Sequence, residues 1–204
     1  MIIPEKFCQV GNILMVHNPR GLIPKTIHKV MWHDAKRAGY TKKYVESLGK
    51  EWPEVIFNHA EIFVHGDNKI GNPVSLASAI EKGVKVRPIS QVALPGTKKK
   101  FAVLVPRVSY SDWEKNHISD YAHNLDRNDV LYDVPSLVWY QVIAAYTGAW
   151  IGKTGKSAEK LMYCYEVAST CSNHSGRSMF EHPGYTNFWH LWLNQKYYLG
   201  WKSG

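Results

Sequence analysis

The sequence contains few cysteines: Cys8, Cys164 and Cys171 are the only three in 204 residues. An odd number does not favour a framework of disulfide bonds, and no pair has the Cys-x-x-Cys spacing that is typical of structural zinc sites. Cys164 and Cys171 are two helical turns apart, too far to bond within one straight helix. We therefore expect free thiols in a reducing compartment, without a metal ion or another cofactor.

The sequence also lacks long hydrophobic runs. No window approaches the roughly 18 consecutive apolar residues that cross a bilayer. Residues 1–6 have no sustained apolar core of the kind found in signal peptides. The expectation is a protein without a signal peptide or a transmembrane segment, which is cytoplasmic or encoded by a phage.

Acidic residues are outnumbered by basic ones, 17 to 25, which gives a formal net charge of +8. Such an excess favours anionic partners: nucleic acid, anionic lipid or an anionic cell-wall polymer. No helix-turn-helix, RNP-type motif or zinc-finger spacing accompanies the charge. We therefore expect no specific binding of nucleic acid, whereas peripheral contact with an anionic surface is compatible with this composition.

Hydrophobic patterns predict strands in the first half of the chain and more helix in the second. A helical pattern at 21–31 follows the first strand, and no repeat or linker divides the sequence. The organisation predicts a single α+β domain over residues 1–204. The expected strands lie at 11–16, 55–64, 74–79, 83–89 and 101–106, and the later helices at 111–124, at 134–149 and from Cys164 onward.

Cys164 is the candidate nucleophile because a helix-like run, Val167–Cys171, follows it. A cysteine in the first turn of a helix lies near unpaired backbone N–H groups and the positive end of the helix dipole. That environment stabilises the reactive thiolate form. Free cysteines are also commonly small buried hydrophobic residues, so the pattern by itself leaves both interpretations open.

His59 is the candidate base among the ten histidines. A thiolate nucleophile needs a base that keeps it ionised and later protonates the leaving group. His59 begins the apolar part of a predicted strand, where its ring needs a polar partner. A structural histidine fits this pattern as well as a catalytic one.

The order of the motifs resembles that of the circularly permuted papain-like amidases of the NlpC-type superfamily, the YiiX-like group. In that group the cysteine follows the histidine in the chain, as it does here. The resemblance covers residues 9–185 and implies a circularly permuted papain-like fold with a central antiparallel sheet or barrel packed against helices. The family segments "GDIL", "SHVGI", "GVRVRPL", "YDF" and "CSELV" correspond to Gly11–Leu14, Asn58–Ile62, Gly83–Ile89, Tyr132–Asp133 and Cys164–Val167.

The resemblance implies that Cys164 is the nucleophile and His59 the general base. The third group, which orients the histidine, falls at Ser78 when counted back from Gly83. A serine hydroxyl can hydrogen-bond an imidazole but cannot stabilise an imidazolium ion as a carboxylate does. The alternatives are Asn72, Glu61, which shares a strand face with His59, and Glu81.

Tyr132, Asp133 and Glu166 match other family positions, for which structural roles are expected. The implied activity is that of a cysteine peptidase or amidase, a hydrolase that cleaves an amide bond in a cell-wall peptide or an acyl or lipid amide through an acyl-enzyme.

The alternative is a non-enzymatic or weakly active binding module for an anionic polymer. The aromatic-rich segment 188–201 could stack on bases or sugars, or form a helix that packs on the core. The substrate and the oligomeric state are not indicated by the sequence.

Overall fold

A six-stranded antiparallel sheet forms the centre of the computed structural model, which describes residues 3–20, 22–66, 74–92, 98–133, 141–147 and 160–203. Its order is β4-β3-β2-β1-β5-β8. These strands are β1 (Ile13–His17), β2 (His59–His65), β3 (Val74–Ile80), β4 (Gly83–Pro88), β5 (Lys100–Pro106) and β8 (Tyr197–Lys202). Two short strands, β6 (Leu131–Tyr132) and β7 (Leu161–Met162), pair separately and in parallel.

Helices pack against the sheet and against one another, which confirms the α+β class. They are α1 (Leu22–Arg37), α2 (Lys42–Ser47), α3 (Asp112–Arg127), α4 (Gln141–Thr147), α5 (Cys164–Asn173) and α6 (Phe188–Trp192). Helix α5 packs on β2 and β3, and α3 packs on β2, β4 and α5, whereas α1 contacts α4 and α6. None of the helices in the described residues is long and apolar enough to span a bilayer.

The central strands are apolar on both faces because each face contributes to a separate hydrophobic cluster. In β1, Ile13 and Met15 pack with the helices, whereas Leu14 and Val16 pack in a second cluster with Phe101. Successive side chains of a strand point to opposite faces. The continuous hydrophobic run at the start of the chain is therefore a strand that is covered on both sides.

The predicted strands are present, but the one expected at 55–64 begins only at His59. The carbonyl groups just before His59 contact side chains instead of pairing with the backbone of a neighbouring strand. The Ile56 carbonyl contacts His17 Nδ1 at 2.8 Å, and the Phe57 carbonyl accepts a hydrogen bond from the Tyr165 hydroxyl. The hydrophobic pattern of the sequence does not indicate side-chain hydrogen bonds of this kind.

The helix predictions differ in extent from the structure. The helix expected at 21–31 continues to Arg37, so it takes up the first part of the polar segment that follows. Of the buried helix expected at 134–149, only α4 is described; the remainder, with Pro135, lies outside the described residues. Of the polar stretch 152–160, which comes before Cys164, only Lys160 lies within the described residues.

An arginine–carboxylate pair connects the start of α3 to the segment after α5. The two residues Ser111 and Glu114, whose spacing in the sequence is that of a capping box, form one: Glu114 Oε2 accepts a hydrogen bond from the Ser111 backbone N–H at 2.7 Å, and Ser111 Oγ accepts from the Glu114 N–H at 3.4 Å. Arg177 donates to both oxygens of Glu114, and to the carbonyls of Val108 and Ser109. The hydrogen bonds from Arg177 are the main reason that the pKa of Glu114 falls to about 2.

Replacing Glu114 by glutamine is expected to lower the free energy of unfolding by about 1–2 kcal/mol at pH 7, since a cap and a charged pair weaken together. The folded-state pKa of Glu114 is depressed, so its contribution is present above the unfolded value of about 4.5 and is lost as the pH falls toward 2. Urea unfolding at pH 7, 4 and 2.5 measures this dependence. A stability difference between variant and wild type that stays constant over these pH values would contradict the assignment.

Candidate active site

Cys164 is the first residue of α5, as predicted. The preceding residue, Tyr163, has an extended backbone, and its N–H donates to the Glu166 carboxylate at 3.4 Å. The Tyr163 hydroxyl donates to the carbonyls of Gly184 and Thr186 at 3.1 and 2.9 Å. These bonds hold the chain on both sides of the helix start, so Cys164 has a defined position. Glu166 therefore has the structural role that was expected.

The two cysteines of α5 are both buried but have different polar surroundings. Cys164 and Cys171 are 1% and 0% exposed, and both are free thiols. Burial raises the pKa of the Cys171 thiol well above its ordinary value. Cys164, in contrast, is one of the groups that raise the pKa of the His59 imidazole. Helix α5 thus carries one thiol, of Cys171, whose pKa is raised by burial, and another, of Cys164, that acts on the pKa of a histidine.

His59, the first residue of β2, has a largely buried side chain next to two negative groups. Burial alone would lower the pKa of His59, but the charge of Cys164 and its hydrogen bond, together with Glu61, outweigh burial and raise the pKa to about 10. The imidazole is therefore protonated at neutral pH. A positively charged imidazole beside a cysteine is the arrangement that favours the nucleophilic thiolate form.

The Nε2 atom of His59 is held by two oxygen atoms. It lies 3.1 Å from Glu61 Oε1 and 3.2 Å from Ser78 Oγ. The single hydroxyl proton of Ser78 is donated to the Ala60 carbonyl at 2.8 Å, so Ser78 accepts from His59. Because Nε2–H is shared between these two acceptors, Nδ1 is the ring nitrogen left for the thiol of Cys164.

Glu61 supplies the negative charge that Ser78 lacks. Burial would raise the pKa of Glu61, but the hydrogen bonds and charges of His59 and Arg87 lower it, so the carboxylate is ionised. Arg87 Nη2 lies 3.0 Å from Glu61 Oε1, and Glu61 Oε2 is buried without a hydrogen-bond partner among the described residues. His59 and Arg87 are therefore the groups that keep this buried carboxylate charged.

The structure brings together most of the residues that were expected at the site. Ser78 contacts His59 as expected, and so does Glu61, which had been an alternative. Glu81 is exposed and forms no hydrogen bond with His59, and Asn72 lies outside the described residues. Arg87 was missed, because its approach to Glu61 depends on the pairing of β2, β3 and β4 and has no local signal.

Tyr132, at the end of β6, lies close enough to Cys164 to respond to its charge. Burial and the negative charges of Cys164, Asp133 and Glu81 raise the pKa of the Tyr132 phenol, so its hydroxyl keeps its proton. A protonated hydroxyl beside a nucleophile can donate a hydrogen bond to an anion that forms there. From the sequence, only a structural role was expected for Tyr132.

An open cavity of about 450 Å³ adjoins His59 and is called the His59 cleft, defined by His59, Glu61, Arg87 and Tyr132. Apolar side chains, including Ile27 and Val92, form other parts of its wall. The cleft therefore offers space beside the imidazole for a group with an apolar part.

The aromatic residues near the end of the chain belong mainly to the core. Phe188, Trp189, Trp192 and Tyr197 are buried, and the Trp189 indole donates to the Met31 carbonyl at 2.7 Å. Packing of a helix on the core, one of the two interpretations of the segment, is confirmed for Phe188–Trp192, whereas Tyr197 lies in strand β8 instead of in a helix. These four rings are not presented for stacking on bases or sugars.

The family resemblance depends on motif order, and the site depends on contacts between side chains. The five motifs lie along β1, β2, β4, β6 and α5. Two of these elements, β2 and α5, meet at the pair of His59 and Cys164. In comparisons with known proteins, no family model and no curated sequence matches this chain.

Proposed function

We propose that the protein is a cysteine hydrolase of circularly permuted papain-like fold that cleaves an amide bond. One observation carries the proposal: Cys164, at the start of α5, raises the pKa of His59 on β2, the strand on which α5 packs, and the Nε2 atom of that ring is held by Glu61 and Ser78. A nucleophile, a base and an orienting group in contact are the arrangement that covalent catalysis requires.

In the first half of the reaction the Cys164 thiolate attacks the carbonyl carbon of an amide, and a C–S bond forms. The carbonyl oxygen becomes an oxyanion, which is stabilised by unpaired backbone N–H groups at the start of α5 and by the Tyr132 hydroxyl. Imidazolium Nδ1–H of His59 then protonates the leaving nitrogen, the C–N bond breaks, and a thioester remains on Cys164.

In the second half, neutral His59 takes a proton from water, and the hydroxide attacks the thioester carbonyl. The C–S bond breaks, the acid product leaves, and the thiolate and the imidazolium ion are restored. Glu61 stabilises the positive charge on His59 whenever the ring is protonated. Ser78 assists by accepting from Nε2–H, which holds the plane of the ring.

The proposed substrates are cell-wall peptides or acyl and lipid amides. The apolar wall of the His59 cleft supports an acyl group, and the net charge of +8 supports an anionic or amphipathic polymer. The thiol is 1% exposed, so reaction includes a local opening of the His59 cleft beside Cys164.

Alkylation by iodoacetamide tests the pair without knowledge of the substrate. Cys164 is expected to react at least about tenfold faster than Cys171, because thiolate content governs thiol reactivity and the two are equally buried. His59→Ala should remove that advantage. Peptide mapping by mass spectrometry measures the rate at each cysteine in one sample.

Cys8 serves as an internal control, since it is half-buried and far along the chain from the pair. Its rate should be the same in the wild type and in His59→Ala. Equal and slow labelling of Cys164 and Cys171 in the wild type, or labelling of Cys164 that is unaffected by loss of His59, would overturn the proposal.

A further inference from the structure

A second cavity, of about 250 Å³, lies next to the His59 cleft. Asn18 and Asn58 line both cavities, so the two are neighbouring compartments of one groove. Asn58 immediately precedes His59 in the chain. A ligand that occupies the second cavity would therefore lie one residue position from the catalytic base.

The wall between the two compartments has a fixed geometry. The Asn18 backbone N–H donates to Asn58 Oδ1 at 3.0 Å, and Asn58 Nδ2 donates to the Asn18 carbonyl at 2.8 Å. Asn58 is itself buried. This reciprocal pair holds the end of β1 against the start of β2, so the spacing between His59 and the second cavity is defined.

Basic side chains dominate the second cavity, called the basic cavity and defined by His17, Lys25, His28 and Lys29. Lys25, His28 and Lys29 have the i, i+3, i+4 spacing that places side chains on one face of α1. Neither lysine forms an ion pair with another described residue, and none of the described residues that line the cavity is acidic. An anion would compensate this charge.

His28 adds a hydrogen-bond donor to the two ammonium groups. An indole can only donate, so Trp32 Nε1–H donates to His28 Nε2 at 3.2 Å, and the proton of neutral His28 is on Nδ1. Burial and the neighbouring His17 lower the pKa of His28, which favours this neutral form. Two ammonium groups and an imidazole N–H together suit an oxyanion with several acceptor oxygens.

We propose that the basic cavity binds a phosphate group carried by the substrate that is cleaved at Cys164. The substrate role rests on the proposed hydrolase function, whereas binding of phosphate does not. The reacting carbonyl lies in the His59 cleft, and the phosphate lies beyond the Asn18–Asn58 wall. The cavity thus selects acyl substrates that bear a phosphate at one end.

Titration with inorganic phosphate tests binding in the Cys164→Ala protein, where no turnover interferes. Imidazole NMR signals of His17 and His28 are expected to shift and saturate. Lys25→Ala/Lys29→Ala should raise the dissociation constant at least about tenfold, because two charge-assisted contacts are lost. Lys36→Ala/Lys43→Ala removes two other exposed lysines and should leave the dissociation constant unchanged. Shifts without saturation, or equal constants in both double variants, would overturn the proposal.

A pair of 4-nitrophenyl esters tests the connection to catalysis in the otherwise wild-type protein. One ester has an uncharged acyl chain, and the other ends in a phosphonate at the same chain length. The phosphonate ester is expected to have a KM at least about tenfold lower, and Lys25→Ala/Lys29→Ala should abolish this difference in KM, whereas Lys36→Ala/Lys43→Ala should preserve it. Equal KM values for the two esters would overturn the substrate role. Saturable phosphate binding without hydrolysis of either ester would instead refute the hydrolase function alone.

Discussion

Cys164→Ala is expected to abolish hydrolysis, with a fall in kcat of at least about 10³-fold and up to about 10⁶-fold. The alanine side chain has no atom that can form the thioester, so only binding and oxyanion stabilisation remain. The fold should persist, because Cys164 is buried and loses one sulfur atom from a well-packed helix start. The measurement is release of amine from a panel of peptide and acyl amides, with thermal unfolding in parallel.

Cys171→Ala is the matched control for this result. Cys171 lies on the same helix, is equally buried and loses the same atom, but it has no imidazole partner among the described residues. It should keep the activity of the wild type. Undiminished turnover by Cys164→Ala, with normal unfolding, would exclude Cys164 as the nucleophile.

Glu61→Gln is expected to lower kcat by about 10²- to 10⁴-fold, the range typical for loss of a carboxylate that orients a catalytic histidine. Glutamine keeps the size of the side chain but cannot stabilise the imidazolium ion. Ser78→Ala should cost about tenfold or less, because it removes one neutral hydrogen bond. Equal losses in the two variants would show that the charge of Glu61 is not what His59 requires.

The pH dependence of hydrolysis separates a catalytic role for Glu61 from a structural one, because the first step needs a protonated His59 ring. The pKa of His59 is raised to about 10, so the proton that the ring donates to the leaving nitrogen is present from neutral pH until near that value. Removing the negative charge of Glu61 lowers the pKa of His59, so the pH above which hydrolysis declines should move toward neutral. Arg87→Gln serves as a stability control, because it perturbs the same buried pair and keeps the carboxylate.

Cys164 and His59 could be selected as candidates from the sequence because they lie in short motifs whose order is distinctive. The helix after Cys164 and the strand after His59 have clear hydrophobic patterns, and their positions in the structure agree with the prediction. Contact between them depends on α5 packing across β2, which no local pattern encodes. The motif order of the permuted papain-like group was needed to connect them.

The groups around His59 were harder to predict, because sheet pairing and side-chain reach determine them. Counting along the sequence led to Ser78, which does contact Nε2. Glu61 shares a strand face with His59, so its proximity was foreseeable, but its charge state depends on Arg87. Arg87 lies two strands away in the sheet, and its role requires the order β4-β3-β2.

The position of the base about a hundred residues before the nucleophile has a consequence during synthesis. A ribosome that adds about 5–20 residues per second makes the segment of His59 about 5–20 s before that of Cys164. The β2–β3 and β3–β4 hairpins can therefore form before Cys164 has been translated. Under the proposed function, His59 can therefore activate Cys164 only after α5 docks on β2, when these hairpins are already formed.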